Sequence, residues 1–236
     1  MTRVAIIGAG ISGLACARQL AKAGVSVVVF DKGRGIGGRV ATRRAGDLQF
    51  DHGAPVVRAQ RDDFSALLAS LTVDGSAVPW TDDKGVTWTV GSPGMSAIPK
   101  AMGVGLDVRL GTQILKVNAN QSGWHLHYDE TEYVATHIVM TVPKPQIAGL
   151  LGYRHPLIPQ IADVKMEPGL TLMATVSGST PSITPFLPDD PLALITCDSS
   201  KPNRPLNESS SWVAQAGTEF SVMKIKKNLP DIAALM

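Results

Sequence analysis

The sequence has 236 residues, with 22 Lys and Arg against 20 Asp and Glu for a net charge of +2, and is 44% hydrophobic and 18% charged. That apolar content supports a sizeable core and excludes wholesale disorder, while a charge this close to balance offers no broad basic field for nucleic acid. The length fits one large domain or two interleaved ones. Residues 3–7 form a short apolar run of the buried-strand type that ends in Gly8-Ala9-Gly10. From Ile11 the apolar residues Leu14, Ala17, Leu20 and Ala21 recur at helical spacing, and Gly24 closes the helix. Residues 26–30 form a second buried strand rich in Val, followed by Asp31 and a loop rich in Gly and Arg that runs to Arg44. Strand, glycine turn, helix and strand make one βαβ unit, whose crossover is expected to be right-handed.

Further along, residues 61–71 read as an amphipathic helix carrying Phe64, Leu67, Leu68 and Leu71 on one face. Residues 80–91 read as two strands joined by a turn at Asp83-Lys84-Gly85, and residues 95–102 as a short helix. Residues 107–142 read as three antiparallel strands, with Pro143 and Pro145 ending the last. Beyond Tyr153 the chain is rich in Pro and Ser, with strands expected at 170–176, 192–196 and 212–216, and Ser209-Ser210-Ser211 as a polar loop. Residues 231–236 are an apolar helical run without a capping Gly or a polar tail, so the sequence reads as cut short. Two cysteines, Cys16 and Cys197, are too few for a disulfide framework. No run approaches the ~18–20 apolar residues that cross a bilayer, and the first apolar stretch, broken by Gly8 and without a small-residue cleavage site, is not expected to act as a signal h-region. The expectation is a soluble, cytoplasmic protein with no membrane and no nucleic-acid partner.

Gly8-x-Gly10-x-x-Gly13 carries weight because it follows a buried strand and opens a helix. Gly8 allows the tight turn, Gly10 lets the backbone approach a pyrophosphate, and Gly13 permits close helix–strand packing. Exposed N–H groups and the positive end of the helix dipole favour phosphate oxygens. Asp31, 18 residues beyond Gly13, stands where a carboxylate accepts from ribose hydroxyls, and it disfavours a 2′-phosphate there. Gly37-Gly38 offers a second close backbone approach, and Arg39 a bidentate phosphate donor.

Other candidates are bland. His125 and His127 share a strand face without a nearby third ligand, and read as surface histidines rather than a metal site. His52 reads as a local hydrogen-bonding residue or a neighbour of a cofactor. Arg39, Arg43 and Arg44 lack the interleaved aromatics of a nucleic-acid site. Lys224, Lys226 and Lys227 read as a solvated helix face, Cys16 as packing, and Trp88 as the one tryptophan placed near a pocket.

The acid ending the second strand, the Gly37-Gly38-Arg39 triplet and Phe50-Asp51-His52-Gly53-Ala54 together resemble the flavin-dependent amine oxidase superfamily. Within it the chain resembles the bacterial renalase family, through residues 31–39, Val90-Gly91-x-Pro93-Gly94-Met95-Ser96-Ala97-Ile98, Pro143-x-Pro145-Gln146, and Ser200-Lys201-Pro202 with Trp212-Val213. The resemblance implies an α/β fold: a Rossmann-like FAD-binding domain (1–60 and 90–150) interleaved with a mixed-sheet α+β substrate domain (61–89 and 151–236). It implies an H2O2-forming FAD enzyme that oxidises 2- and 6-dihydro isomers of NAD(P) to NAD(P)+ with O2 as acceptor. The cofactor positions it implies are Gly8, Gly10, Ser12, Gly13, Asp31, Lys32, Gly38, Arg39, Pro55, Val56 and Ile114. Ile114 would flank the adenine, and Pro55 and Val56 the flavin. Val57, Gly91, Ser92, Pro93 and Gly94 would line the substrate side. No side chain receives a proton-transfer role, since a dihydronicotinamide gives up only a hydride. Pro55-Val56-Val57 replaces the Gln-Tyr-Phe usual in the family, and the family's last strand and helix, with their Gly-Asp element, are absent from these 236 residues. Two alternatives stand beside this reading: a truncated, inactive nucleotide-binding member, or an amine-oxidising flavoenzyme.

Overall fold

The computed structural model describes residues 1–178, 181, 191–205 and 207–236. In chain order the elements are β1 (Arg3–Ile7), α1 (Ile11–Lys22), β2 (Ser26–Phe30), β3 (Arg43–Ala45), β4 (Leu48–Phe50), α2 (Asp62–Val73), β5 (Ala77–Thr81) and β6 (Thr87–Gly91). They continue with α3 (Ala97–Gly103), β7 (Asp107–Arg109), β8 (Lys116–Asn120), β9 (Gly123–Tyr128), β10 (Thr131–Ala135), β11 (His137–Met140), α4 (Lys144–Leu151) and α5 (Leu157–Gln160). Then come β12 (Thr171–Ser177), β13 (Leu192–Cys197), a 3-10 turn at Asp198–Ser200, β14 (Ser209–Ala216), α6 (Thr218–Lys224) and α7 (Leu229–Ala233). The fold is mixed α/β, and the chain forms two compact units: residues 1–38 with 99–166, and residues 39–98 with 167–236. The divisions fall at Gly38 and Ile98 because the β3–β4 hairpin, with residues 51–60 and 90–98, packs into the second unit.

The first unit is built on a four-stranded sheet in the order β11-β1-β2-β7, every pair parallel. Its two faces are both covered, as a parallel sheet requires. Val4, Ile6 and Val29 point to the face packed by Ala17 of α1, with Cys16 and Leu20 beside it. Ala5, Ile7, Val28 and Phe30 point the other way, against Val117, Leu126 and Ala135 of the antiparallel sheet β10-β9-β8. The alternation along each strand thus divides two cores. Phe30 is fully buried and contacts Tyr128 and Tyr133. At ~1.5–3 kcal/mol for a buried large side chain, it is one of the larger single contributions on that face.

The span expected to hold three antiparallel strands holds five. Only β8, β9 and β10 are antiparallel; β7 and β11 join β1 and β2 in the parallel sheet. Apolar periodicity marks a strand but not the direction of its partner.

In the second unit, β12-β14-β13 form an antiparallel sheet, while β5-β6 and β3-β4 are hairpins. The β5–β6 turn is tied by Asp82, whose Oδ1 accepts the N–H groups of Lys84 and Val86 and whose Oδ2 accepts Trp88 Nε1 at 2.9 Å. Burial pushes the Asp82 carboxyl up, and these hydrogen bonds outweigh it and leave it below its ordinary value. The serine triplet read as a loop is instead the first part of β14. Ser210 and Ser211 are buried there. Ser210 Oγ donates to the carbonyl of Val176 and accepts from Trp212 Nε1, so a hydroxyl that looked solvated is satisfied inside the sheet. At the end of the chain, Ile232 of α7 packs with Leu170 and Phe220, and Met236 lies against them. Among the described residues no helix is long and apolar enough to cross a membrane.

Candidate functional site

In the first unit the chain leaves β1 through Gly8, at φ +112°, a conformation open to glycine at little cost. Thr141, just beyond β11, holds this turn: its N–H donates to the carbonyl of Ile7 at 2.9 Å, and its Oγ1 lies 3.1 and 3.0 Å from the carbonyls of Ile7 and Gly8. A Cβ at Gly8 would stand 2.7 Å from Thr141 Oγ1, and one at Gly13 would stand 2.0 Å from the carbonyl oxygen of Gly8. Gly13 is therefore needed for packing between helix and turn.

Gly10 differs. A Cβ there meets nothing within 4 Å. Gly10 is the N-cap of α1, which has no side-chain cap and no acidic residue in its first turn. The first N–H groups of a helix lack intrahelical acceptors, and the helix dipole makes that end positive. An open, uncapped helix end behind a glycine turn suits an anionic diphosphate.

Asp31 follows β2 and reaches back to the turn. Its Oδ2 accepts the N–H of Ala9 at 2.6 Å and its Oδ1 that of Gly33 at 2.7 Å. A carboxylate has about four acceptor positions, so Asp31 ties the turn together and keeps capacity for a hydroxyl. The second glycine pair lies against the first: Gly37 N–H donates to the carbonyl of Ala9 at 3.0 Å, and a Cβ on Gly38 would be 3.3 Å from the Cα of Gly10. Lys32 is exposed, with Nζ 3.3 Å from Gln146 Oε1. Ser12 is exposed in the first turn of α1. Ile114 sits just before β8 and is buried among Ile7, Val28 and Phe30.

Arg39 opens the second unit with an exposed side chain, and its carbonyl accepts the N–H of Ala54 at 2.9 Å. Gly53 is required here, because a Cβ would meet that same carbonyl oxygen at 2.0 Å. Pro55 and Val56 are buried, and Val57 pairs with Thr89 through both its N–H and its carbonyl. Trp88 donates to Asp82, and the guanidinium of Arg58 lies 6.0 Å from its ring centre.

Four charged side chains lie buried together in this unit: Asp51, Asp198, Lys201 and Arg204, none more than 7% exposed. Lys201 Nζ is 3.1 Å from Asp51 Oδ2 and 2.5 Å from Asp198 Oδ1, and Arg204 Nη2 donates to Asp51 Oδ2 at 2.6 Å. Asp51 Oδ1 accepts from the N–H of Met95 at 2.9 Å and from Thr42 Oγ1 at 2.6 Å, while the N–H of Asp51 donates to Asp198 Oδ2. Arg204 Nη1 donates to the carbonyls of Gly91 at 2.9 Å and Pro93 at 2.5 Å. Two cations balance two anions, as burial demands.

The two carboxyls respond in opposite directions. Burial pushes Asp51 up, but Lys201, Arg204 and the hydrogen bonds from Thr42 and Met95 overcome it and hold it below the ordinary carboxylate range. Burial also pushes Asp198 up; Lys201 opposes this, the charge of Asp51 adds to it, and the net movement is upward. Cys197, next to this network, is a buried thiol pushed up by burial, not an activated nucleophile.

The structure thus gathers Gly8, Gly10, Gly13, Asp31 and Gly38 in the first unit. In the second it joins the segments around Asp51, Gly91–Met95 and Lys201. Sequence reasoning missed Thr141, Asp198 and Arg204 as members of these constellations. Asp198 and Lys201 stand three residues apart directly after an apolar strand, which was the available signal. His125 and His127 are a surface cluster, with His125 Nδ1 at 3.0 Å from Glu132 Oε2 and His127 Nε2 at 2.7 Å from Asn118 Oδ1. Among the described residues no group of three or more His, Cys, Asp or Glu could hold a metal.

Residues 6–71 match the family model of an NAD(P)-binding Rossmann-like domain. A 4,4'-diapophytoene desaturase of Staphylococcus aureus is 38% identical over 55 residues, a stretch that takes in 23% of this chain and 11% of that protein. Cyclohexylamine oxidase from Brevibacterium oxydans superposes with a TM-score of 0.77 at 14% identity, covering 98% of this chain and 78% of that one. A putrescine oxidase double mutant gives a TM-score of 0.75 at 15% identity, covering 99% of this chain and 80% of that one. A putative protoporphyrinogen oxidase from Exiguobacterium gives 0.75 at 13% identity, covering 99% and 81%. The fold is therefore the Rossmann-like α/β fold of these oxidases.

Proposed function

We propose that this chain is an FAD-dependent oxidoreductase of the flavin amine oxidase superfamily, acting in the renalase manner on 2- and 6-dihydro isomers of NAD(P). The observation that carries the reading is the cradle at the start of α1: an uncapped helix end, open space at Gly10, and Asp31 braced against the turn. The match of residues 6–71 to a dinucleotide-binding domain and the fold shared with amine oxidases support it.

The residues present suit the adenosine diphosphate half of FAD. The first N–H groups of α1 would bind the diphosphate, Asp31 would accept from a ribose hydroxyl, and Thr141 would keep the turn in shape. Arg39 would supply a further phosphate donor. On the second unit, Pro55 and Val56 are assigned to the flavin side, and Val57, Gly91, Ser92, Pro93 and Gly94 to the substrate. When bound, FAD supplies a two-electron acceptor that O2 reoxidises with release of H2O2. The dihydronicotinamide gives up a hydride and leaves as NAD(P)+. That hydride, with one proton from solvent, balances the reduction of O2. The protein's task is then to orient the donor carbon, and no side chain needs to take a proton.

The test is reconstitution. Protein incubated with FAD and freed of excess should be yellow, and should bleach without O2 on addition of 2-dihydro-NAD. Failure to take up FAD overturns the reading, and bleaching by primary amines alone moves the substrate class to amines. Gly10→Ala sharpens the test, because its Cβ meets no protein atom: its thermal midpoint should match the parent while FAD affinity falls at least about tenfold.

A further inference from the structure

The turn assigned to substrate rests on a buried guanidinium. The Gly91–Gly94 turn carries two inward-facing carbonyls, those of Gly91 and Pro93, and both accept from Arg204 Nη1. Gln49 Nε2 donates to the same Pro93 carbonyl. On the other side Arg204 Nη2 is fixed by Asp51, which also receives Lys201 and, through its second oxygen, the N–H of Met95. Both ends of the turn are therefore referred to one carboxylate. The turn has no slack of its own, because a Cβ at Gly91 would fall 2.4 Å from the carbonyl oxygen of Gly94, and one at Gly94 would fall 2.8 Å from Thr42 Oγ1. Facing outward are Pro93, which is exposed, and Ser92, whose hydroxyl accepts from Asn203 Nδ2 at 3.0 Å.

The network's charges cancel and its carboxylates are occupied, so it is poorly suited to recruit an ionic ligand. A planar fork is the one cationic side chain that can reach a carboxylate and two carbonyls at once; an ammonium is a point. We propose that Arg204 is a positioning residue for substrate: it grips the Gly91 and Pro93 carbonyls and so fixes the outward shape of the Gly91–Gly94 turn. This rests on the assignment of that turn to the substrate side.

The experiment compares wild type with Arg204→Lys by amide hydrogen exchange, together with steady-state oxidation of 2-dihydro-NAD by the FAD-loaded proteins. Exchange within residues 91–97 should accelerate about tenfold or more while the β12–β14 amides stay within about twofold, which separates a loosened turn from global destabilisation. KM should rise about fivefold or more, with kcat changed by less than about twofold, as expected for lost orientation of the bound donor rather than lost chemistry. Equal acceleration in both segments, no acceleration, or an unchanged KM with a loosened turn each overturns the proposal.

Should Arg204→Lys fail to fold, the double variant Asp51→Asn with Arg204→Gln decides. It removes one buried charge of each sign, and the shorter amide cannot hold both carbonyls, so exchange within residues 91–97 should speed by about threefold or more while the amides of β12 and β14 stay within about twofold. Exchange of the turn at the wild-type rate overturns the proposal. Exchange is read without cofactor, so a protein that binds no FAD would defeat the functional reading and leave the grip to be judged on its own.

Discussion

Lys201→Met isolates the buried charges. In the wild type Lys201 lies within 3.1 Å of both Asp51 and Asp198, all three being at most 3% exposed. Methionine fills a similar volume but leaves two carboxylates sharing one guanidinium. Asp51 keeps Arg204 at 2.6 Å, whereas among the described residues Asp198 Oδ1 retains only Thr196 Oγ1 at 3.3 Å. Removing one partner of a buried pair typically costs ~3–5 kcal/mol. At ~2–4 °C per kcal/mol for a chain of this size, the unfolding midpoint should drop by ~6–20 °C at pH 7.

The pH dependence gives a second handle on the same variant. Asp198 already stands above its unfolded value of 3.8, and loss of Lys201 pushes it further up. A carboxyl raised in the folded state binds its proton there more readily than in the unfolded chain. Its stabilising effect is full below 3.8 and is lost as pH rises through the folded pKa. The deficit of Lys201→Met should therefore be smaller at pH 5 than at pH 7. Asp51 behaves oppositely: held low, it contributes above 3.8 and loses that contribution as pH falls through its folded value. Adding Asp198→Asn to Lys201→Met keeps an acceptor for the N–H of Asp51 and removes the unpaired charge, so it should recover ~1–3 kcal/mol. Denaturant unfolding at both pH values provides the numbers. A loss below ~1 kcal/mol at pH 7, or equal deficits at the two pH values, would refute the argument.

Three further outcomes follow from single contacts. Gly13→Ala places a Cβ 2.0 Å from the carbonyl oxygen of Gly8; unlike Gly10→Ala it should lower the thermal midpoint as well as FAD uptake, which calorimetry and flavin titration distinguish. Thr141→Val removes the hydroxyl that caps the Ile7 and Gly8 carbonyls; the single donated proton is worth ~0.5–1.5 kcal/mol in urea unfolding. Trp80 and Trp88 are cross-strand partners in one hairpin, yet their substitutions should diverge. Trp88→Phe loses a hydrogen bond to the Asp82 carboxylate and should cost ~1.5–3 kcal/mol. Trp80→Phe deletes a buried N–H that has no acceptor among the described residues, and should stay within ~1 kcal/mol.

The first unit was readable because its signals are local. Five residues of β1, the glycine turn, the helical spacing of α1 and Asp31 are contiguous in sequence, and each demands a backbone shape that few other residue types provide. Strand direction was not readable, because residues 107–109 and 137–140 are three and four residues long, too short for their side-chain pattern to say whether they pair parallel or antiparallel. Ser210 and Ser211 looked like loop residues because a hydroxyl satisfied inside a sheet has the same sequence as one in water. The deepest miss was the ion network. The motif residues Asp51, Gly91 and Lys201 were singled out, but nothing in the chain says that a particular Asp, Lys or Arg is buried. That depends on partners as far away as the 147 residues separating Asp51 from Asp198.

The network also bears on why such residues persist together. Replacing a whole buried ion cluster by well-packed apolar side chains is often neutral or stabilising, by as much as ~1–4 kcal/mol. Stability alone therefore gives no reason to keep four charges out of water. What apolar side chains cannot do is donate to the carbonyls of Gly91 and Pro93 or accept from the N–H of Met95. A variant with all four positions apolar would leave those backbone groups to rearrange toward water, and the turn between them would lose its single shape even if the unit stayed folded. The charges at 51, 198, 201 and 204 are best understood as the means by which three distant stretches of sequence agree on the conformation of one short turn. Single substitutions within the set should accordingly cost more than the removal of the set as a whole.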